Sequence, residues 1–226
     1  THYQTDPGKV RSHNEDSVTI VRNLSGDYLL IVADGMGGHK AGEVASSMAV
    51  TTIGSRFQSM STLGNKVDAI TWLKEIIEEV NTSIIRYADE HVDSMGLGST
   101  LVCAVLSKDY LIFANVGDSS GFVIKSGKLY KVTKDHTLVN VLVESGELRP
   151  EEAVNHPQKN VLMKALGAAD KISADIFDVE TTVDGIFLCS DGLTNMVTTE
   201  QIERVLNDNS LDIEEKAKER LKTVFP

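Results

Sequence analysis

Residues 28–43 read YLLIVADGMGGHKAGE. The run Tyr28–Ala33 is short and apolar, which predicts a buried strand. Asp34 follows this strand at once and is itself followed by glycines. A helix with one apolar stripe is predicted from about Gly42 to Gln58. A carboxylate therefore stands at the tip of a strand, and it is the first candidate for chemistry.

The rest of the chain predicts an α+β fold with antiparallel sheets. Tight turns at Ser107-Lys108-Asp109 and at Ser126-Gly127 join strand-like runs with hairpin spacing. Apolar residues spaced by three and four predict a long helix between Val67 and Val92. Shorter helices are predicted at Thr137–Glu144, near Pro150, at Thr198–Leu206 and from about Asp212. The other predicted strands are Val18–Arg22, Thr100–Leu106, Tyr110–Val116, Gly121–Lys125, Ile176–Glu180 and Ile186–Cys189.

Composition and charge exclude several classes of protein. The chain has 226 residues, of which 41% are hydrophobic and 24% charged, as in an ordinary globular domain. One domain with a small inserted subdomain is preferred to two domains. The net charge of −11 is the wrong sign for a general nucleic-acid or anionic-membrane binder. The apolar runs are far shorter than the roughly 20 residues that span a bilayer.

The cysteines and the N-terminus bear on cellular context. Cys103 and Cys189 each lie in an apolar run without metal-binding spacing, which favours free buried thiols in a reducing cytoplasm. The N-terminus is polar and lacks both an initiator Met and an apolar signal region, so trimming is expected. No feature of the sequence demands more than a monomer.

Three carboxylates share one local pattern. Asp34, Asp118 and Asp191 each follow an apolar run and are flanked by Gly or Ser. Carboxylates that converge repel one another unless a cation lies between them. Oxygen ligands without paired Cys or His select Mg²⁺ or Mn²⁺, and two such ions are a common device for phosphoryl chemistry. The alternative is that each Asp is a turn or cap residue, which is less convincing for all three together.

A second charged cluster lies near the N-terminus. Arg11 precedes the pair Glu15 and Asp16 by four residues. Arg suits bidentate recognition of phosphate, and the two carboxylates could hold metal-bound waters. The alternative is a solvated charged loop.

Together these motifs resemble the metal-dependent Ser/Thr protein phosphatases of the 2C class, of the compact bacterial type. The resemblance covers nearly the whole chain. It implies a four-layer α-β-β-α sandwich of two antiparallel sheets flanked by helices, with a mobile flap at about 137–160. The motifs, in order, are Arg11, Asn14-Glu15-Asp16, Asp34-Gly35-Met36-Gly37-Gly38-His39-Lys40-Ala41-Gly42-Glu43, Gly96-Leu97-Gly98-Ser99-Thr100, Val116-Gly117-Asp118-Ser119, Asp135-His136 and Ser190-Asp191-Gly192-Leu193.

The resemblance also implies a set of metal ligands for two core Mn²⁺ or Mg²⁺ ions. Asp34 would bridge the two ions. The Gly35 carbonyl oxygen would bind one of them, and Asp191 the other. Asp118 with Asp191 would form a third, weaker position.

Further roles follow from the same resemblance. Glu15 and Asp16 would orient metal-bound waters, and Arg11 would bind the substrate phosphate. A water held between the ions would attack phosphorus directly, without a phosphoenzyme. His39 is a candidate general acid. A structural role for His39 is the alternative, because the family's better-established acid follows the Asp-Gly directly, where this chain has Met36.

Two departures from the family pattern leave questions open. The family's C-terminal Asp-Asn motif, whose Asp is a further metal ligand, has no counterpart, so the single domain at 1–226 is C-terminally short. Either the chain is trimmed, which we favour, or its metal binding is impaired. Ser120 stands where Arg is common, and a modest effect is expected. His13 and His136 are expected to be loop or packing residues.

The predicted function is therefore hydrolysis of phosphoserine and phosphothreonine in proteins, opposing a bacterial eukaryotic-like Ser/Thr kinase. The alternative is a non-catalytic or partner-switching member that binds phosphoproteins, because the Asp-Asn motif is absent. A metal-dependent nuclease is a distant third possibility, against which the net charge argues.

Overall fold

The computed structural model describes residues 1–8, 13–37, 41–91, 94 and 96–224, with side chains as far as residue 218. Within these residues it contains nine strands and seven helices. The strands are β1 (Asp16–Arg22), β2 (Tyr28–Met36), β3 (Gly98–Ser99), β4 (Leu101–Leu106), β5 (Leu111–Val116), β6 (Ser120–Lys125), β7 (Lys128–Lys131), β8 (Asp175–Val179) and β9 (Gly185–Cys189). The helices are α1 (Ala41–Ser59), α2 (Lys66–Glu90), α3 (Leu138–Glu144), α4 (Pro150–Ala153), α5 (Asp191–Thr194), α6 (Thr199–Leu206) and α7 (Ile213–Val224).

The first sheet carries the main hydrophobic core. Its strand order is β1-β2-β4-β5-β8, with β3 paired to the end of β2, and every pairing is antiparallel. Alternate side chains such as Ile31 and Cys103 pack against α1 and α2, where Phe57 and Ile77 are buried with them. The long helix α2 begins with a capping box, in which the Asn65 side chain accepts backbone N–H groups.

The second sheet is smaller and stacks on the other face of the first. Its order is β7-β6-β9, again antiparallel. Phe113 of the first sheet packs with Val123 and Ile186 of the second. The outer face of the second sheet is covered by α6, whose Ile202 packs on Phe122. The layers are therefore helix, sheet, sheet, helix, which confirms the predicted sandwich.

The sequence analysis placed a hairpin turn at Ser126-Gly127 but gave no range for the strand that follows it in the second sheet. β7 reads KLYK, and only Leu129 of its residues is buried, so it shows little hydrophobic alternation. It pairs with β6 in a hairpin. Contacts distant in sequence also hold it: the Leu129 N–H donates to Glu203 Oε1 (2.9 Å), and the Lys128 ammonium lies 3.0 Å from Glu203 Oε2. The predicted end of the second long helix at Val92 lies outside the described residues, and α2 ends at Glu90.

Two further features bear on the predictions. The segment expected to form a flap contains α3 and α4. Across the described part of the chain, none of the helices combines the length and apolar character needed to cross a bilayer.

A buried amide joins α2 to the loop at residues 167–169, which precedes β8. Asn81 is fully buried; its Nδ2 donates to the Ala169 carbonyl (2.9 Å), and its Oδ1 accepts the Gly167 N–H (2.8 Å).

We expect Asn81→Ala to lower the free energy of unfolding by about 1–3 kcal/mol, because two backbone groups lose their partner. Thr82→Ala, which removes an exposed hydroxyl from the same helix, is the matched control in chemical denaturation. Equal midpoints for the two variants would contradict this account.

Candidate active site

Four carboxylates meet at one end of the sandwich. Asp16 begins β1 and stands directly opposite Asp34 on β2. Asp118 lies in the turn between β5 and β6, and Asp191 begins α5 directly after β9. The Ser190 hydroxyl donates to Asp16 Oδ2 (2.8 Å), which ties the second sheet to the first at this point. The structure thus brings together the strand-tip carboxylates that the sequence singled out.

The electrostatics of this cluster are dominated by Asp34. The pKa of Asp34 is raised to about 9, first by burial, then by the charges of Asp16, Asp191 and Asp118 and by a hydrogen bond with Asp191. Burial also raises the pKa of Asp118 to about 6, together with the charges of Asp191 and Asp135. Without a cation, Asp34 therefore keeps its proton at neutral pH.

A network of hydrogen bonds fixes the backbone at Asp34. Its N–H donates to Thr100 Oγ1 (2.9 Å), and its carbonyl accepts the Thr100 N–H (2.8 Å). The Ser99 hydroxyl lies 3.1 Å from the same carbonyl. The Thr100 hydroxyl also lies 2.7 Å from the buried Ser119 hydroxyl, next to Asp118. Sequence reasoning included Ser99 and Thr100 in a family motif but gave them no role.

A close approach of two glycines sets the position of Glu15 and of the Gly35 carbonyl. The Gly35 N–H donates to the Glu15 carbonyl (3.0 Å), which also accepts the Ser46 hydroxyl (2.6 Å). A β carbon on Gly42 would lie 2.8 Å from Glu15 Oε1 and 2.9 Å from the Gly35 oxygen. These two oxygens therefore converge beside the start of α1, in a space that only glycine leaves open.

The chemical type of the ligand atoms at this site suits a hard divalent cation. These atoms belong to carboxylates and one backbone carbonyl, the ligands that Mg²⁺ and Mn²⁺ prefer. In the described part of the chain, no three His, Cys, Asp or Glu side chains are already arranged around one point that could hold an ion. A hydrogen bond with Asp191 is among the causes that raise the pKa of Asp34, after burial and the neighbouring charges. A bound cation would relieve both the burial of the charged carboxylate and its repulsion by the neighbouring carboxylates.

Other residues stand around the cluster or lie outside the described part. Asn195 Nδ2 donates to Asp191 Oδ2 (3.0 Å), a contact that sequence reasoning missed although the spacing of four residues within one helical turn could have indicated it. Arg11 and His39 lie outside the described residues, so their predicted roles stay predictions.

Comparison with known proteins decides the family. A sequence model described as "Protein phosphatase 2C" matches residues 8–225. The chain belongs to this family. A relative from Listeria welshimeri, named serine/threonine phosphatase stp, is 44% identical over 205 residues, which are 90% of this chain and 81% of that protein. Protein phosphatase PhpP of Streptococcus pneumoniae is 35% identical over 210 residues, covering 91% of this chain and 83% of the relative.

Solved structures agree with this assignment. Serine/threonine phosphatase Stp1 of Staphylococcus aureus superposes with a TM-score of 0.91 at 38% identity, covering 98% of this chain and 87% of that one. Mycobacterium tuberculosis PstP/Ppp gives a TM-score of 0.85 at 32% identity, with coverage of 98% and 89%. A structure of the catalytic domain of PstP in complex with two manganese ions is similar at 31% identity, with a TM-score of 0.80 and coverage of 98% and 89%.

These comparisons confirm the resemblance, and this chain is a protein phosphatase of the 2C family. The relatives reported above are all named as phosphatases, so nothing in them favours the non-catalytic alternative.

The glycine pair gives a matched test of the site in this phosphatase. We expect Gly42→Ala to raise the Mn²⁺ concentration for half-maximal activity by about 10-fold or more, because its β carbon would displace the Gly35 carbonyl or Glu15. Gly54→Ala lies on the same helix, and its β carbon would meet only Thr19 Cγ2 at 3.5 Å. This control should keep its metal response and gain up to about 1 kcal/mol in stability. Equal Mn²⁺ responses in the two variants would refute the close approach.

The raised pKa of Asp34 predicts the pH dependence of stability in the chelated phosphatase. Its pKa is about 9 in the folded chain against an ordinary 3.8, so the folded state binds the extra proton between these values. The contribution to stability is therefore present at low pH and is lost as pH rises through this window. We expect the melting temperature to fall from about pH 5 to about pH 9, and less steeply in Asp34→Asn. Identical slopes in scanning calorimetry, with Asp178→Asn as surface control, would show the expectation to be wrong.

Proposed function

We propose that this phosphatase hydrolyses phosphoserine and phosphothreonine in proteins with the aid of two divalent cations, Mn²⁺ or Mg²⁺. The observation that carries the metal site is the convergence of Asp16, Asp34, Asp118 and Asp191, which together with burial raises the pKa of Asp34 to about 9. The two manganese ions in the related PstP catalytic domain support the same requirement. The names of the relatives support the choice of phosphorylated residue.

The residues that would hold the cations are those whose oxygens converge at this end of the sandwich. Asp34 would contact both ions, with the Gly35 carbonyl and Asp191 as further ligands. When bound, such a pair of cations lowers the pKa of water and neutralises charge on the phosphoryl group. Glu15 and Asp16 would accept hydrogen bonds from bound waters and so orient them. Asp118 beside Asp191 is the proposed holder of a third ion.

Direct attack by water on phosphorus is consistent with the state of the two cysteine thiols. Burial raises the pKa of both Cys103 and Cys189 to about 12, so neither thiol forms the thiolate that a covalent mechanism needs. Catalysis then rests on position and on charge neutralisation. Arg11 is proposed to bind the substrate phosphate, and His39 to protonate the leaving alkoxide.

The proposal extends to partners and location. Phosphorylated proteins are the substrates, and a Ser/Thr kinase is the enzyme whose products this phosphatase removes. The net charge of −11 argues against nucleic-acid and membrane partners. The two free, buried cysteines agree with a reducing cytoplasm. A monomer suffices for all of these roles, and the segment 137–160 is proposed as a flap that selects among protein substrates.

The first test is hydrolysis of an aryl phosphate and of phosphopeptides across a Mn²⁺ titration. We expect turnover that requires the metal, disappears with chelator and falls at least about 100-fold in Asp191→Asn, because one ligand is lost. Phosphoserine and phosphothreonine peptides should be preferred to phosphotyrosine peptides. Asp109→Asn is the control, because Asp109 is exposed and precedes β5, at the end of the strand opposite to Asp118.

Two outcomes would overturn this function. Turnover by Asp191→Asn at the wild-type rate would exclude the carboxylate site. Tight binding of a phosphopeptide without hydrolysis at saturating Mn²⁺ would instead establish the non-catalytic alternative.

A further inference from the structure

His136 lies where three segments of the chain meet, although its sequence context suggested only a loop or packing residue. Its backbone N–H donates to the Gly117 carbonyl (2.9 Å), and the Gly117 N–H donates back to His136 Nδ1 (3.0 Å). The side chain is only 14% exposed. Backbone and imidazole of one residue thus hold both polar groups of Gly117, the residue immediately before Asp118.

The turn at Gly117 needs such support. Gly117 has a φ of +103°, and a β carbon there would lie 2.7 Å from Thr100. Its carbonyl also accepts Asn115 Nδ2 (3.1 Å), whose second contact is the Lys134 carbonyl (2.9 Å). The direction in which the Asp118 carboxylate leaves the turn therefore depends on the strand below it and on the segment 134–136 beside it.

The other imidazole nitrogen faces a carboxylate. His136 Nε2 lies 3.1 Å from Asp175 Oδ2, although the alignment is poor for a hydrogen bond. The other Asp175 oxygen accepts the Lys164 ammonium (2.9 Å). Because Nδ1 accepts the Gly117 N–H, the proton of the neutral ring is on Nε2, where it faces Asp175. The surroundings of the ring fix both its tautomer and its orientation.

The backbone of His136 is also the base of the segment expected to be a flap. The His136 carbonyl accepts the Met163 N–H (2.8 Å), and the Leu138 N–H donates to the Val161 carbonyl (2.8 Å). Thr137 and Leu162 form an antiparallel bridge between these contacts. The segment 137–160 therefore leaves from and returns to the residue that holds Gly117.

We propose that His136 is a positioning residue for Asp118. Through Nδ1 it holds the Gly117 turn so that the Asp118 carboxylate stands beside Asp191, and through its backbone it joins this turn to the base of segment 137–160. The inference rests on the proposed cation site. It goes beyond that site because His136 itself contacts neither a cation nor a substrate.

Two substitutions separate the two ends of the imidazole. The amide oxygen of His136→Asn can stand in for Nδ1 and accept the Gly117 N–H, whereas the longer side chain of His136→Gln places its amide near Nε2 and Asp175. Both retain a polar side chain of similar size. His91→Ala is the matched control, because the His91 imidazole also contacts a backbone group, with Nδ1 2.8 Å from the Tyr87 carbonyl, but lies at the exposed end of α2 and outside segment 137–160.

The experiment measures Mn²⁺ binding to the chelator-stripped chain by calorimetry. Thermal melting reports stability, and NMR reports the hydrogen exchange rates of the Gly117 and Asp118 amides. We expect His136→Gln to weaken the weaker class of Mn²⁺ sites by about 10-fold or more and to speed exchange at Gly117. His136→Asn should keep both quantities closer to wild type than His136→Gln does, and His91→Ala should change neither. In an Asp118→Asn background, His136→Gln should weaken Mn²⁺ binding no further, because the affected ligand is already gone.

The possible results distinguish a failure of the positioning role of His136 from a failure of the proposed function. Equal Mn²⁺ affinity and Gly117 exchange in His136→Asn and His136→Gln would overturn the positioning role, even if both melt lower than wild type. An additive loss in the Asp118→Asn background would also overturn it. If the wild type neither binds Mn²⁺ nor turns over substrate, the proposed function fails, and exchange at Gly117 alone then decides whether His136 holds the turn.

Discussion

The repulsion among carboxylates at one end of the sandwich is the constraint on which the rest of the structure depends. Asp34 is partly buried beside Asp16, Asp191 and Asp118, so its charged form is disfavoured in the absence of a cation. The fold keeps these groups together through neutral hydroxyls at fixed positions: the Thr100 hydroxyl accepts the Asp34 N–H, and the Ser190 hydroxyl donates to Asp16. Apolar side chains are buried on both faces of the first sheet, and their packing offsets the unfavourable free energy of the carboxylate cluster.

Much of this architecture could be predicted because its signals are local. Apolar runs marked most strands, and an Asp at the end of three of them marked the active-site end. The strand at Lys128–Lys131 pairs with β6 in a local hairpin, but only Leu129 of its residues is buried, so it left no apolar run. Its further contact with Glu203 is 74 residues away from Leu129 and leaves no local signal. The contact between Asp34 and Thr100 spans 66 residues and leaves no periodic pattern. His136 likewise gave no sign of its contact with Gly117, because an isolated His in a polar segment suits many environments.

Close approach of backbones explains why the motifs are rich in glycine. Gly35 and Gly42 bring a carbonyl and the Glu15 carboxylate side by side, with no room for a β carbon at either position. Gly117 turns the chain with a positive φ so that β5 and β6 can belong to different sheets while Asp118 stays between them. The site therefore depends on the close spacing of backbone segments as much as on the acidic side chains. His136 maintains this spacing at Gly117, from outside the carboxylate cluster.

The two thiols have a consequence for behaviour under oxidative conditions. Cys103 and Cys189 are buried, and burial raises the pKa of each to about 12. Peroxides attack thiolates that are accessible to solvent, and neither sulfur meets that description. A phosphatase built on a cysteine nucleophile loses activity when that sulfur is oxidised, whereas this fold keeps both of its cysteine thiols buried. Dephosphorylation by this chain would therefore continue while thiol-dependent signalling enzymes are inactivated by peroxide.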